Sequence, residues 1–165
     1  MSSELTVRPV TASDLPAVLA LHARVFGPGR FVRTAYRIRE GTPAISRFCL
    51  MAVLGGELVA AIRFTEVTIG GEGGALLLGP LAVEPRVAGR GYGKRIVADG
   101  MEGARRAGLR LVVLVGDLSY YGRFGFTRLP GGQIVMPGPV DPDRLLAAEL
   151  APGALGAYRG VIAAR

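Results

Sequence analysis

Apolar and polar positions alternate from Leu5 to Val10, the period of a strand with one buried face, and the pattern then lengthens to that of a helix. Thr11 or Ser13 stands where an N-cap belongs, and Leu15, Val18, Leu19, His22 and Phe26 follow on one stripe. A second helical pattern after FGPGR places Phe31, Ala35 and Ile38 on one side and Arg30, Arg33 and Arg37 on another. Phe48 to Leu54 and Leu58 to Val67 read as strands joined by Gly55-Gly56, a two-residue hairpin turn. The loop Gly70 to Gly74 then leads into Ala75 to Val83, an almost wholly apolar run that predicts a central strand covered on both faces.

Helical spacing returns from Gly91 to Ala107 through Ile96, Val97, Gly100, Met101 and Ala104, with Gly108 placed as a stop. Leu109 to Val115 is a second fully apolar strand. A strand, helix, strand unit of this length makes the two apolar strands parallel neighbours with a right-handed crossover. Asp117 can cap a short turn of helix, and the Gly- and Pro-rich tail from Pro130 carries one helical patch, Pro142 to Leu150. The pattern thus predicts an α/β protein, in the sense of an α+β mixed sheet, forming one domain over residues 1–165.

Composition narrows the chemistry. The chain has 165 residues, half of them hydrophobic, enough for a single core. Its net charge of +7 favours anionic ligands, but Lys and Arg are scattered from Arg8 to Arg165, with Lys94 the only lysine, so a nucleic-acid footprint is not indicated. Cys49 and His22 are each the only residue of their kind, so no internal disulfide and no Cys/His metal site is expected. His22 beside the first helix's apolar stripe reads as a core-edge histidine. No apolar run approaches the ~18 residues of a membrane span. MSSELTVRP also lacks a charged-then-apolar leader. The expectation is a cytoplasmic protein without metal.

AVEPRVAGRGYGKRIVADG, from Ala82 to Gly100, joins the central apolar strand to the long helix through Gly89, Gly91 and Gly93. Convergent backbone N–H groups, the helix dipole and missing side chains make such a corner an anion cradle. The spacing excludes two kinds of cradle. A Walker loop needs glycine where Ala88 stands and Ser or Thr where Arg95 stands, and a dinucleotide G-x-G-x-x-G would end on Lys94 or Ile96.

Ala88, Gly89, Arg90, Gly91, Tyr92 and Gly93 instead resemble the Q/R-x-x-G-x-G/A loop of the GNAT acyltransferase superfamily, departing from it at Ala88. LGPLAVEP, Leu78 to Pro85, resembles the family's fourth strand, and DLSYYGRFGF, Asp117 to Phe126, its tyrosine-x-x-x-glycine-phenylalanine ending after the fifth. FGPGRFVRTAYRIREG and ELAPGALG are similar to one bacterial branch of predicted GNAT acetyltransferases, so the resemblance covers nearly the whole chain.

The resemblance implies the GNAT acyl-CoA N-acyltransferase fold, a mostly antiparallel sheet with a parallel fourth and fifth strand splayed around the cofactor. It implies acetyl-CoA as cosubstrate and direct attack by an amine, from a small molecule or a peptide, in a ternary complex. Ala88, Gly89, Arg90, Gly91, Tyr92, Gly93, Lys94 and Arg95 would then hold the pyrophosphate, largely through backbone N–H groups, while Leu81, Ala82 and Val83 meet the pantetheine and thioester. Tyr121 takes the position of a general acid toward the departing thiolate, and Tyr120 that of a packing residue. For a phenol of reference pKa about 10 and a thiol of about 8.5, that transfer is uphill by about 2 kcal/mol. Glu66 leads Glu84 and Glu40 as a candidate base, and Arg30, Arg33 and Arg37 offer a weak acceptor site for an acidic amine. Family members often pair as homodimers, which an apolar tail permits. Two rival readings remain: a non-catalytic acyl-CoA-binding domain, suggested by Ala88 and the absent base, and a basic nucleic-acid-binding module.

Overall fold

The computed structural model describes residues 4–27, 34–40 and 42–165. In chain order its elements are β1 (Leu5–Pro9), α1 (Leu15–Phe26), α2 (Thr34–Arg39), β2 (Leu50–Leu54), β3 (Glu57–Ile69) and β4 (Glu72–Val83). There follow α3 (Tyr92–Arg106), β5 (Leu111–Val115), α4 (Leu118–Tyr121), β6 (Thr127–Arg128), β7 (Ile134–Val135), β8 (Leu145–Glu149) and β9 (Gly160–Ala164). The sheet runs in the order β1-β2-β3-β4-β5-β8-β6, antiparallel throughout except for the parallel β4–β5 pair. β9 adds antiparallel to the far end of β3 and carries β7 beside it in parallel.

Side-chain alternation sorts the sheet into two buried faces. Ile62, Phe64, Leu76 and Leu78 point toward α3 and pack with its Ile96, Val97 and Met101. On the opposite face Ala61 and Ala82 receive Val18 and Leu21 of α1, and Val67, Leu77, Val113 and Tyr158 fill the other half of the same side. The entry to α1 is fixed by Asp14. Its carboxylate accepts two bonds from Arg8, each 2.9 Å, and two from the N–H and hydroxyl of Thr11, each 2.8 Å. The Arg8 hydrogen bonds, followed by those of Thr11, hold the Asp14 carboxyl well below the usual carboxylate range.

Three sequence-based expectations are corrected. The loop Gly70 to Gly74 shrinks to a turn at Gly70 and Gly71, because β4 begins at Glu72 opposite Ile69; Gly73 and Gly74 form a bulge opposite Thr68, where their carbonyls accept from the Tyr158 hydroxyl and the Arg110 N–H. The helical patch Pro142 to Leu150 is a short 3-10 turn at Pro142–Arg144 followed by β8. A run such as LLAA fits a buried strand or a helix equally well in isolation, and the open edge of β5 decides for the strand. On α1, Leu21 is fully buried whereas Leu19 is half-exposed, so the apolar stripe is broader than its sheet-facing part.

Gly100 marks where α3 meets the sheet. A Cβ there would lie 2.5 Å from Cε2 and 2.8 Å from Cζ of Phe64, whose ring is fully buried and has no room to retreat. Helix propensity favours Gly100→Ala by about 1 kcal/mol, but overpacking costs about 1–3 kcal/mol. Gly100→Ala is therefore expected to lower Tm by a few degrees in a thermal melt; a rise would show that the ring can be displaced freely.

Candidate active site

β4 and β5 are hydrogen-bonded neighbours only at Ala75–Leu111, Leu76–Val112 and Leu77–Val113. Beyond that point β4 stays on β3, through Ile62–Leu81, Ala61–Ala82 and Ala60–Val83, while its other edge has lost its partner. The register between Phe64–Leu78 and Ile62–Leu81 puts Gly79 and Pro80 opposite the single residue Arg63, a β-bulge. Gly79 has φ +129°, and proline has no N–H to donate to a ladder, so the ladder opens there for local reasons. A cleft of about 1170 Å³ opens at the parting, bounded by Leu78 to Leu81 of β4, Leu114 to Asp117 at the end of β5, and both tyrosines of α4. Its other wall is α1. The stripe Leu15, Val18, Leu19, His22 and Phe26 lines the cleft, which explains why Leu19 is left half-exposed.

The glycine corner lies past the end of β4. A short 3-10 turn buries Val87, Ala88 is exposed, and Gly89 and Gly91 take φ +82° and +86° before α3 begins at Tyr92. The left-handed backbone, rather than crowding, selects glycine at these two positions, since a Cβ on either would meet nothing within 4 Å. No side chain caps α3, and its ladder begins with the Arg95 N–H donating to the Gly91 carbonyl. The N–H groups of Tyr92, Gly93 and Lys94 precede that bond and point out of the helix end, as an anion site requires. Gly93 is selected by proximity: a Cβ would lie 2.8 Å from the Tyr120 hydroxyl and 3.1 Å from Val83 Cγ2.

Tyr121 is seated by a second close approach. Its ring edge lies 2.8 Å from where a Cβ of Gly116 would stand, and it meets Phe126 edge-on at 5.8 Å and Tyr120 at 4.9 Å.

Residues 6–129 match the family model of the acetyltransferase (GNAT) domain. The chain belongs to the GNAT acetyltransferase family. It is 33% identical over 122 residues to the N-acetyltransferase YjhQ of Escherichia coli K12, covering 72% of this chain and 67% of that protein. The N-acetyltransferase YhbS of the same strain is 24% identical over 163 residues, 96% of this chain and 95% of that one. A crystal structure of E. coli YhbS in complex with CoA superposes with a TM-score of 0.84 over 100% of this chain and 92% of its own, at 24% identity. A GNAT family acetyltransferase from Brucella melitensis in complex with acetyl-CoA gives 0.66 at 27% identity, over 93% and 99% of the two chains.

Within this GNAT domain the site residues expected from sequence separate into groups. Leu81 lines the cleft, whereas Ala82 turns its side chain under α1 and meets the open edge of β4 through its backbone alone. Lys94 and Arg95 are exposed at the cradle, with Arg95 held 2.9 Å from Asp99 along the helix. Glu66 does not reach the cleft. It shares the α3 face of β3 with Phe64, and its carboxylate lies 3.5 Å from both Arg47 and Arg165. Glu84 is likewise occupied, by Arg24 at 2.8 Å. Glu40, third in the sequence ranking, does line the cleft. Arg30 and Arg33 lie outside the described residues, and Arg37 is exposed away from the cleft. Among the described residues the cleft arginines are Arg39, Arg63 and Arg144, which sequence analysis missed because the end of α2, the bulge opposite Arg63 and the turn before β8 meet only in the fold.

Burial pushes the Tyr121 phenol up to about 12, with Tyr120 and Asp117 adding to the rise and Arg144 opposing it. Tyr120 is also raised by burial, against the opposing Arg123 guanidinium. Because its folded-state pKa lies above the unfolded value of about 10, Tyr121 contributes stability that is intact below pH 10 and lost as pH rises toward 12. Alkaline melts should therefore show a smaller loss of Tm between pH 9 and 11 for Tyr121→Phe than for the wild type, roughly in proportion to the one phenol removed. Equal losses would place the Tyr121 hydroxyl in water.

Proposed function

We propose that this protein transfers the acetyl group of acetyl-CoA to a primary amine by direct attack in a ternary complex. Family membership makes it an acetyltransferase; the observation that carries the reading further is the edge of β4 left unpaired by β5 beyond Leu77, which borders the cleft at Leu78 to Leu81 beside Tyr121 and runs on in the chain toward the glycine corner. Bound acetyl-CoA would supply an activated acyl group. The residues present fit it: Gly89 to Lys94 would hold the pyrophosphate with backbone N–H groups, the space beside Gly89 and Gly91 is open, and a Cβ on Gly93 would press on the Tyr120 hydroxyl and Val83 and disturb the helix end. Leu81, Ala82 and Val83 would align the pantetheine through main-chain groups left without a β5 partner. Loss of the Gln or Arg side chain at Ala88 leaves those backbone donors intact.

Tyr121 acts here mainly as a neutral hydrogen-bond donor. Proton transfer from a phenol near 12 to a thiolate of reference pKa about 8.5 is uphill by about 5 kcal/mol, so a hydrogen bond to the departing sulfur is favoured over full transfer. An acceptor amine of reference pKa about 10.4 must lose its proton before attack. Glu40 takes the place of Glu66 as the carboxylate for this role, since it lines the cleft and Glu66 does not.

Acetyl-CoA and CoA, but neither ATP nor NAD, are expected to raise Tm, by about 2.7 kcal/mol of added stability at 100 times the dissociation constant. Gly93→Ala should abolish that shift. Tyr121→Phe should retain it while lowering thiol release with an amine panel about 10- to 100-fold. Binding without turnover on any amine would reduce the protein to an acyl-CoA-binding domain.

A further inference from the structure

The bulge that opens the sheet also gathers positive charge on the acceptor side of the cleft. A Cβ on Gly79 would lie 2.8 Å from Nη2 of Arg39, so the guanidinium from the end of α2 rests directly on the backbone at the parting of the strands. Arg63 is the β3 residue opposite Gly79 and Pro80, and its side chain rises on the α1 side with Ala61. Thr42 ties the two together: its hydroxyl donates to the Arg39 carbonyl at 2.6 Å and accepts from Arg63 Nη2 at 3.0 Å, and Arg63 Nη2 also reaches the Pro43 carbonyl at 3.1 Å. Both arginines line the cleft. The third cleft arginine, Arg144, is placed differently, with Asp117 3.4 Å away.

We propose that Arg39 and Arg63 form a clamp for a carboxylate on the acceptor, and that the acceptor is a small amino acid whose amine is one or two carbons from that carboxylate. This rests on the acetyltransferase reading above. Guanidinium groups present planar paired donors that match a carboxylate, and a carboxylate so held at Gly79 leaves an adjacent amine at the mouth of the strand parting. Glu40, next to Arg39 in the chain and on the same wall, then faces the cationic end of the amino acid. The two poles of the wall suit a zwitterion. A peptide N-terminus or a protein lysine has no carboxylate at that distance from its amine, and both are disfavoured.

The test compares amino acids with their carboxamides, their decarboxylated amines and phosphoethanolamine. Two readouts are taken: thiol release from acetyl-CoA, and calorimetric binding of the acceptor to the protein saturated with CoA. Expected is a preference of about 30-fold or more in kcat/KM, or in affinity where turnover is absent, for at least one carboxylated acceptor over its carboxamide. Arg39→Gln and Arg63→Gln should each remove that preference through KM. Both should leave the CoA-induced Tm shift unchanged, and Arg39→Lys should restore part of the preference. Carboxamides or amines serving as well as amino acids in both readouts would overturn the clamp, as would equal losses on all acceptors in the Gln variants. Preference for phosphoethanolamine would overturn the carboxylate assignment. Failure of acetyl-CoA to raise Tm is a separate result that removes the acetyltransferase reading itself.

Discussion

β4 is paired with β3 along almost its whole length but with β5 only from Ala75 to Leu77, and the functional half of the molecule depends on that asymmetry. A strand buried in the middle of a sheet ordinarily satisfies its N–H and C=O groups on both edges, so a central strand with one edge bare would be costly without another partner. The bulge at Gly79-Pro80 removes one donor outright and turns the backbone through a region that side chains avoid. The remaining open groups face a cleft where water or an extended ligand can pair with them. Binding of a pantetheine arm as an added strand would use groups that the fold has already desolvated in part, which limits the ordering cost of forming the complex.

Small residues set the geometry around this opening by letting large ones come close. Gly93 admits the Tyr120 hydroxyl, Gly116 the edge of the Tyr121 ring, and Gly79 the guanidinium of Arg39. Two of these contacts join elements far apart in sequence, α4 to α3 and α2 to β4, while the third closes the turn between β5 and α4. The tyrosines are therefore held by packing against backbone and against Phe124 and Phe126 rather than by flexible polar contacts. Packed aromatic groups lose little further freedom when a substrate arrives, a form of preorganisation suited to a site whose chemistry depends on alignment.

Long-range contacts of this kind also define how far the sequence could be read. The period of α3, the two apolar strands and the glycine corner were legible because each signal lies within about twenty consecutive residues. β8 was misread as helix because its apolar run is decided by the free edge of β5, which no local window contains. Glu66 was favoured as base because it precedes the apolar strand; the alternation along β3 sends it to the α3 face, where Arg47 and Arg165 meet it. The α1 stripe is legible as a face from its spacing, but that Leu21 rather than Leu19 is buried, and that the stripe walls the cleft, needs the position of β4 opposite it. The same holds for Arg39 and Arg63, whose neighbours in sequence give no hint of Gly79.

In the proposed reaction, the elevated phenol of Tyr121 would change how the work is divided among the groups of the cleft. At the reference value of about 10, proton donation to a thiolate is a modest climb; near 12 it is a steep one, and the group then helps most by keeping its proton and sharing it. Burial that weakens Tyr121 as an acid strengthens it as a dipole, because the same dry surroundings screen its hydrogen bond less. Catalysis on such terms leans on electrostatic alignment at the strand parting and on the placement of the amine. In the proposed reaction proton removal from the amine would fall to a carboxylate such as Glu40, which lines the same cleft as Tyr121.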